Sequence, residues 1–148
     1  MRTKFRAWMK QFKKMDNDIG EMHFEDGEFK YIGDDVHYKR LPEDIILMQS
    51  TGLFDKNGKE IFEGDLIITN AYACIVCFGE YTYFEDEDTQ TTAIGFYLSF
   101  LNVTPATYAP FEKCYWDNCE VIGNIHENEL DLIMYEAWKF NKELEDET

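Results

Sequence analysis

Four cysteines have the spacing that most resembles a chemical site in this sequence. Cys74 and Cys77 form a C-x-x-C pair. Cys114 and Cys119 could supply two further thiolates, which would complete a tetrahedral zinc site. On a strand, however, residues three apart point to opposite faces, and isoleucine and valine stand where a zinc knuckle has turn residues. We therefore expect no metal and no redox pair, and interpret the thiols as small buried hydrophobes of a reducing compartment.

Histidines and carboxylates, the usual general acids and bases, form no recognisable constellation. His23, His37 and His126 are scattered, and the sequence has no nucleophile elbow, zinc-protease motif or phosphate-binding loop. Thirty acidic residues are too many for one catalytic pair to stand out. We predict that the protein is not an enzyme, uses no cofactor and has no catalytic residues, and keep an enzyme as the second alternative.

Charge is distributed unevenly along the chain. The formal net charge is −16, yet six of the fourteen basic residues lie in the first fourteen positions, which contain no acid. The other 134 residues therefore hold eight basic groups against thirty acids, a net of −22. Such a body repels nucleic acid and attracts basic surfaces. Either the acids keep an aromatic-rich protein soluble, or they form a face that occupies the nucleic-acid-binding groove of another protein.

Two turns between residues 48 and 68 are the strongest structural signals. Asn57 and Gly58 stand between two apolar pairs and predict a hairpin, because both residues tolerate positive φ. Gly64 and Asp65 interrupt the next apolar run, after which β-branched residues restart a strand. These four are predicted structural turn residues rather than chemical ones.

Three segments carry a family resemblance. The central segment comprises QSTGL at 49–53, DKNGKEI at 55–61 and EGDLI at 63–67. The other two are KFRAW at 4–8 and VIGNIHEN at 121–128. Together they resemble the YopX family of phage and prophage proteins. The resemblance implies a β-rich fold and a phage context in the host cytoplasm, but no mechanism, since the biochemical function of that family is unassigned.

The first fifteen residues fit two patterns. Their apolar residues fall near helical spacing with basic residues between them, which is typical of an amphipathic helix that lies on a membrane surface or packs elsewhere. Residues 4–9 also alternate, with Phe5, Ala7 and Met9 opposite a cationic face. The family resemblance favours the strand, so we predict a strand and no membrane association. No run of about 18 apolar residues occurs elsewhere.

Alternation and turn residues predict most of the remaining elements. Asp26-Gly27 predicts a hairpin over residues 21–32, and Pro42 predicts one short helical turn. Residues 71–84 and 93–103 read as paired strands, and the acidic, polar residues 85–92 as a solvated loop. Asn128 is a plausible helix N-cap before an apolar stripe that includes Trp138. Tyr135 and Phe140 lie off that stripe.

We therefore predict an α+β, mainly β protein of a single domain, residues 1–148. It has an N-terminal strand and hairpin segment (1–47), a small SH3-like bent antiparallel barrel (48–128) and a C-terminal helix (129–148). The favoured function is a non-enzymatic phage accessory protein that binds a host or phage protein with a basic surface, and that forms a homo-oligomer. The alternative is a protein that binds or sequesters a small, nucleotide-like ligand. The predicted partner-binding residues are Glu85, Asp86, Glu87, Asp88, Tyr135, Trp138 and Phe140.

Overall fold

The computed structural model describes residues 4–33, 38–69, 72–101 and 103–127. The chain divides into two compact units, residues 1–50 and 51–148. The described residues are mainly β, as predicted. The predicted helix at 129–148 lies outside them, and the single-domain organisation stays a prediction. Among the described residues, no helix has the length and apolar character needed to cross a bilayer.

The N-terminal unit contains two small antiparallel sheets. Strand β1 pairs with β2 and with the first half of β5, and β3 pairs with β4. A short 3-10 turn at Pro42–Asp44 precedes β5, as Pro42 predicted. The strands are β1 (Phe5–Met9), β2 (Lys14–Asp16), β3 (Met22–Glu25), β4 (Glu28–Ile32) and β5 (Ile45–Phe54).

Two further predictions for this unit are confirmed. Residues 5–9 form a strand rather than an amphipathic helix. The hairpin turn lies at Asp26 and Gly27, both at positive φ, which is the backbone of a type I′ turn. Arg6, on the predicted cationic face of β1, is only 6% exposed, and its neighbour Ala7 is fully buried. Both faces of the strand are therefore covered at this point.

The C-terminal unit is built on a five-stranded antiparallel sheet in the order β10-β9-β8-β7-β11. The described residues of this unit also form strand β6, which lies beside β5, and a four-residue helix, α1. The elements are β6 (Glu60–Phe62), β7 (Asp65–Thr69), β8 (Tyr72–Phe84), β9 (Gln90–Phe100), β10 (Tyr108–Pro110), α1 (Lys113–Trp116) and β11 (Glu120–Asn124). Its buried core is Ile61, Ile67, Cys74, Val76, Leu98, Cys119 and Val121.

The loop between β8 and β9 is shorter than predicted. The sequence predicts a solvated loop at residues 85–92, but β9 begins at Gln90 and pairs with Phe84. The polar residues 90–92 can form a strand here because an exposed hairpin is held by backbone pairing and cross-strand side-chain contacts rather than by side-chain burial. Thr82 and Thr92 face each other across the strands, with their hydroxyl oxygens 3.0 Å apart.

The turn after β5 is organised by a buried carboxylate that the sequence pattern did not single out. Gly58 has positive φ as predicted, but Asn57 does not, and the connection is Asp55 to Lys59 rather than a two-residue turn. Asp55 Oδ1 accepts hydrogen bonds from the backbone N–H groups of Asn57 (2.9 Å) and Lys59 (2.8 Å). Asp55 Oδ2 accepts one from Val121 N–H at 2.9 Å.

Burial alone would raise the pKa of Asp55, but its partners reverse the direction. The N–H donors of Val121, Lys59 and Asn57, together with the Lys59 charge, hold the pKa below its ordinary value. The ionised carboxylate is therefore the form that the fold stabilises.

The predicted turn at Gly64 and Asp65 is also confirmed, but as a corner between sheets. Gly64, at φ +87°, donates its N–H to Val76 O (2.7 Å) and accepts from Ile125 N–H (3.0 Å). Asp65 Oδ2 accepts from Phe62 N–H at 2.8 Å. The corner thus takes the chain from β6, beside β5, into β7 of the five-stranded sheet.

Replacing Gly64 with valine should lower the free energy of unfolding by about 1–3 kcal/mol, because a β-branched residue is strained at positive φ. Chemical denaturation measures the effect. Gly20→Val is the matched control, since Gly20 is exposed, is outside the positive-φ glycines, and a Cβ added there would meet no other atom within 4 Å. Equal losses in the two variants would contradict a special role for this corner.

Replacing Asp55 with asparagine should lower the free energy of unfolding by about 2–3 kcal/mol. The amide has an N–H₂ group in place of one carboxylate oxygen, so a backbone N–H donor that now bonds to a charged oxygen would face another donor. A lowered folded pKa stabilises the fold above the ordinary value of 3.8. That stabilisation is lost as the pH falls through the folded pKa. Between pH 5 and pH 2, the free energy of unfolding should therefore fall less in Asp55→Asn than in the wild type. Denaturation curves across that range test both points, with the exposed Asp88→Asn as control.

Candidate functional site

A pair of glycines bends the long β8–β9 hairpin. Gly79 and Gly95 are direct cross-strand partners, with φ values of +146° and +153° that side-chain-bearing residues rarely adopt. Tyr81 on β8 pairs with Ala93 on β9, and Ala93 is four positions before Tyr97 along β9. In a flat hairpin those four positions would separate the two tyrosines by about 13 Å along the strand. Their ring centroids are 4.6 Å apart and nearly parallel, so the hairpin folds back sharply at the glycines.

Four tyrosines line the concave face that this bend creates, and we call them the tyrosine cluster: Tyr81, Tyr83, Tyr97 and Tyr108. Tyr83 stacks on Tyr81 at 5.6 Å between ring centroids, and Tyr108 meets the Tyr97 ring edge-on at 5.8 Å. Aromatic pairs at these separations contribute about 0.5–1.5 kcal/mol each beyond burial, so the cluster stabilises the bent form. The sequence showed abundant tyrosine here but not which rings meet.

Two cavities, each of about 440 Å³, lie where the tip of the bent hairpin approaches β10. They share Tyr83, Phe84 and Tyr108 as walls. The first, which we call the glutamate cavity, is completed by Glu85, Ala109, Pro110, Glu112, Cys114 and Tyr115. The second is completed by Thr82, Gln90, Pro105, Ala106 and Thr107. Cavities of this size are in the range that holds small ligands.

Carboxylates dominate the electrostatics around the tyrosine cluster. Burial, followed by the charge of Glu112, raises the pKa of Tyr81 above its ordinary value. The pKa of Tyr83 is also raised, first by desolvation, then by Glu85 and by Glu112. The Tyr83 hydroxyl donates a hydrogen bond to Glu85 Oε1 at 3.4 Å. Burial, Cys77 and Glu63 are among the causes that raise the pKa of Tyr97. The raised pKa values keep Tyr81, Tyr83 and Tyr97 neutral at physiological pH.

The other face of the hairpin exposes apolar residues near its tip, and we call this part the outer face. Ile94 is 76% exposed, Phe84 67% and Phe78 46%. They alternate along the strands with the residues of the tyrosine cluster. Phe84, at the end of β8, also lines both cavities. Phe78 is anchored at its base by an edge-on contact with Phe96, whose ring centroid lies 4.9 Å away.

The acidic residues predicted to bind a partner form the tip of this hairpin. Glu85, Asp86, Glu87 and Asp88 are all exposed. Asp86 Oδ1 accepts from the N–H groups of Asp88 (2.9 Å) and Thr89 (2.8 Å), which lowers the pKa of Asp86 and shapes the loop. Their role in binding stays a prediction. The other predicted partner residues, Tyr135, Trp138 and Phe140, lie outside the described part of the chain.

The four cysteines do not converge. Cys74 and Cys119 are buried in the core, Cys77 lies on the opposite side of β8 beside Tyr97, and Cys114 is exposed. Burial is the main cause that raises the pKa of Cys74 to about 12 and that of Cys119 to about 11. Within the described ranges, no three histidine, cysteine, aspartate or glutamate residues are grouped as metal ligands would be.

Comparisons with known proteins place the chain in one family. A crystal structure of protein EF1440 from Enterococcus faecalis is similar to it, with 27% identity, coverage of 89% of this chain and 99% of that chain, and a TM-score of 0.49. No curated protein matches the chain. The family model described as YopX protein matches residues 4–131. The three motifs that suggested this family lie within that match, and the chain belongs to the YopX family.

Proposed function

We propose that this YopX-family protein is a non-enzymatic accessory protein that binds another protein through the outer face of the β8–β9 hairpin. The observation that carries the proposal is the combination of three exposed apolar side chains with an acidic tip on one projecting element. Burying an isoleucine or phenylalanine side chain contributes about 1.5–3 kcal/mol, so Phe78, Phe84 and Ile94 can anchor an interface.

Charge points to a partner with a basic surface. Between Lys59 and Lys113 the sequence has no lysine, arginine or histidine, yet residues 60–112 contain nine acids. Glu80 lies directly across the strands from Ile94, and Glu85 follows Phe84. A basic rim around an apolar pocket would complement this arrangement, since complementary potentials speed association and exclude wrong partners. The same charge disfavours direct binding to nucleic acid.

Several finer features belong to the same proposal. The partner is a host or phage protein whose nucleic-acid-binding surface the acidic hairpin occupies, which would make this protein an inhibitor. It acts in the host cytoplasm of a phage or prophage, as a homo-oligomer. Its fold completes an SH3-like barrel with a C-terminal helix at 129–148. The phage context rests on family resemblance, and the oligomer on the aromatic residues Tyr135, Trp138 and Phe140.

Binding of a small ligand is the second candidate function, and the two cavities at the hairpin tip favour it. Glu85 and Glu112 line the first cavity, and the residues that line either cavity include no lysine, arginine or histidine. A nucleotide would bring phosphates toward carboxylates, so the chemistry of the walls disfavours the nucleotide-like ligand suggested by sequence.

Removing the apolar anchors should abolish partner binding without unfolding the protein. The ligand is a protein captured from bacterial lysate by the wild type, and we expect Phe84→Ser with Ile94→Ser to bind it at least about tenfold more weakly. A tenfold loss corresponds to about 1.4 kcal/mol, which is less than burial of one such side chain contributes. Phe12→Ser with Phe24→Ser is the matched control, since those phenylalanines are 62% and 59% exposed in the other unit. Loss in the control pair alone would contradict the proposal.

Charge and apolar contributions separate in the kinetics. Glu85→Gln with Asp88→Asn leaves the loop-shaping Asp86 intact, and should slow association and flatten its dependence on salt. Surface-based binding measurements at low and high salt give both quantities for the captured partner. An association rate that is insensitive to salt in the wild type would remove the argument for a basic partner.

A further inference from the structure

The glutamate cavity combines aromatic walls with carboxylates on the C-terminal unit. On one side are Tyr83 and Glu85 from the hairpin tip, and on the other are Tyr108, Glu112 and Tyr115 from β10 and the start of α1. The cavity exists because the glycine bend brings the end of β8 toward β10, which pairs with β9 and not with β8 in the sheet. It shares Phe84 with the outer face, on which the proposed protein contact rests, whereas Phe78 and Ile94 of that face line neither cavity.

Negative charge in this cavity is not balanced from within. Neither a lysine nor an arginine nor a histidine is among its lining residues, whereas two exposed carboxyl side chains, Glu85 and Glu112, are. The charge of Glu112 acts on Tyr81, Tyr83 and Tyr115, so this carboxylate lies within electrostatic reach of three rings. An anionic ligand would be repelled, whereas a cation would gain from the carboxylates and the π faces together.

We propose that the glutamate cavity binds an organic cation, an alkylammonium or alkylguanidinium group whose head meets Glu112 and Glu85 and whose apolar stem packs on Tyr83, Tyr108 and Tyr115. A tyrosine ring face attracts such a cation, and a carboxylate adds a charge-assisted hydrogen bond. A volume of about 440 Å³ suits one side chain or a short polyamine rather than a folded partner. The cation can come from a free polyamine or from an arginine or lysine side chain of a peptide.

Titration calorimetry with the full chain tests this assignment directly. The probes are spermidine, N-acetylarginine amide and N-acetylcitrulline amide, the last being the neutral counterpart of arginine. We expect spermidine or the arginine compound to bind and the citrulline compound to bind at least about tenfold more weakly, because it lacks the charge. Binding of spermidine alone identifies a polyamine source and binding of the arginine compound alone a peptide source, and either result supports the proposal.

Variants then locate the site. Glu112→Gln removes one charge at constant shape, and Tyr108→Leu removes one ring; each should weaken cation binding by about fivefold or more. Glu80→Gln is the matched control, because Glu80 is an exposed carboxylate on the outer face and its substitution should change the affinity less than about twofold. Melting curves confirm that each variant is folded.

Three results would overturn the assignment. They are equal affinity for the citrulline and arginine compounds, no binding of either cation, and unchanged cation affinity in both Glu112→Gln and Tyr108→Leu. Adenosine monophosphate serves as a further probe, because tighter binding of this anion than of either cation would also refute the charge argument. Ile94 lines neither cavity, so partner binding measured with Ile94→Ser alone is independent of the cavity walls, and failure of one proposal leaves the other testable.

Discussion

One carboxylate joins parts of the C-terminal unit that are 66 positions apart in sequence. Asp55 receives two backbone donors from the turn that follows it and a third from β11, at the far edge of the five-stranded sheet. Lys56 N–H adds a bond to Cys119 O just before β11. Because three donors converge on one buried charge, the position of the turn and that of the sheet edge are fixed together.

The sheet held in this way carries a hairpin whose two sides have different chemistry. A strand alternates its side chains, so a flat hairpin would expose both sides equally. Bending at Gly79 and Gly95 draws the tyrosines of one side into contact and leaves Phe78 and Ile94 in solvent on the other. The acids at the tip lie where the two sides meet. One backbone feature therefore produces both an aromatic, carboxylate-lined cavity and an exposed apolar surface.

Local signals in the sequence predicted local structure well. Asp26-Gly27, Gly58 and Gly64 marked turns that are present, because each needs only a few neighbouring residues to be recognised. The strand at residues 5–9 was also predicted, although helical spacing competed with it. The mainly β character followed from these turns and from the β-prone runs between them.

The candidate site could not be predicted, because it depends on register. A loop of residues 85–92 would have put Phe84 opposite Ala93 and Gly79 opposite Leu98. The actual loop is three residues shorter, so Gly79 meets Gly95 and the hairpin bends. Polar residues at 90–92 concealed that shift, since backbone hydrogen bonds rather than burial extend the strands there. The buried role of Asp55 was hidden for a related reason, as its third donor comes from a distant strand.

The positions of the cysteines make the unmodified protein suitable for chemical labelling. Cys114 is exposed and lies in the wall of the glutamate cavity, whereas Cys74 and Cys119 are buried and have raised pKa values, and Cys77 is partly buried with its pKa also raised. A thiolate is the reactive form, so a maleimide or a fluorophore will select Cys114 over the other three. A reporter placed there stands at the edge of the cavity without any substitution in the chain, so a ligand that enters the cavity would come into contact with it.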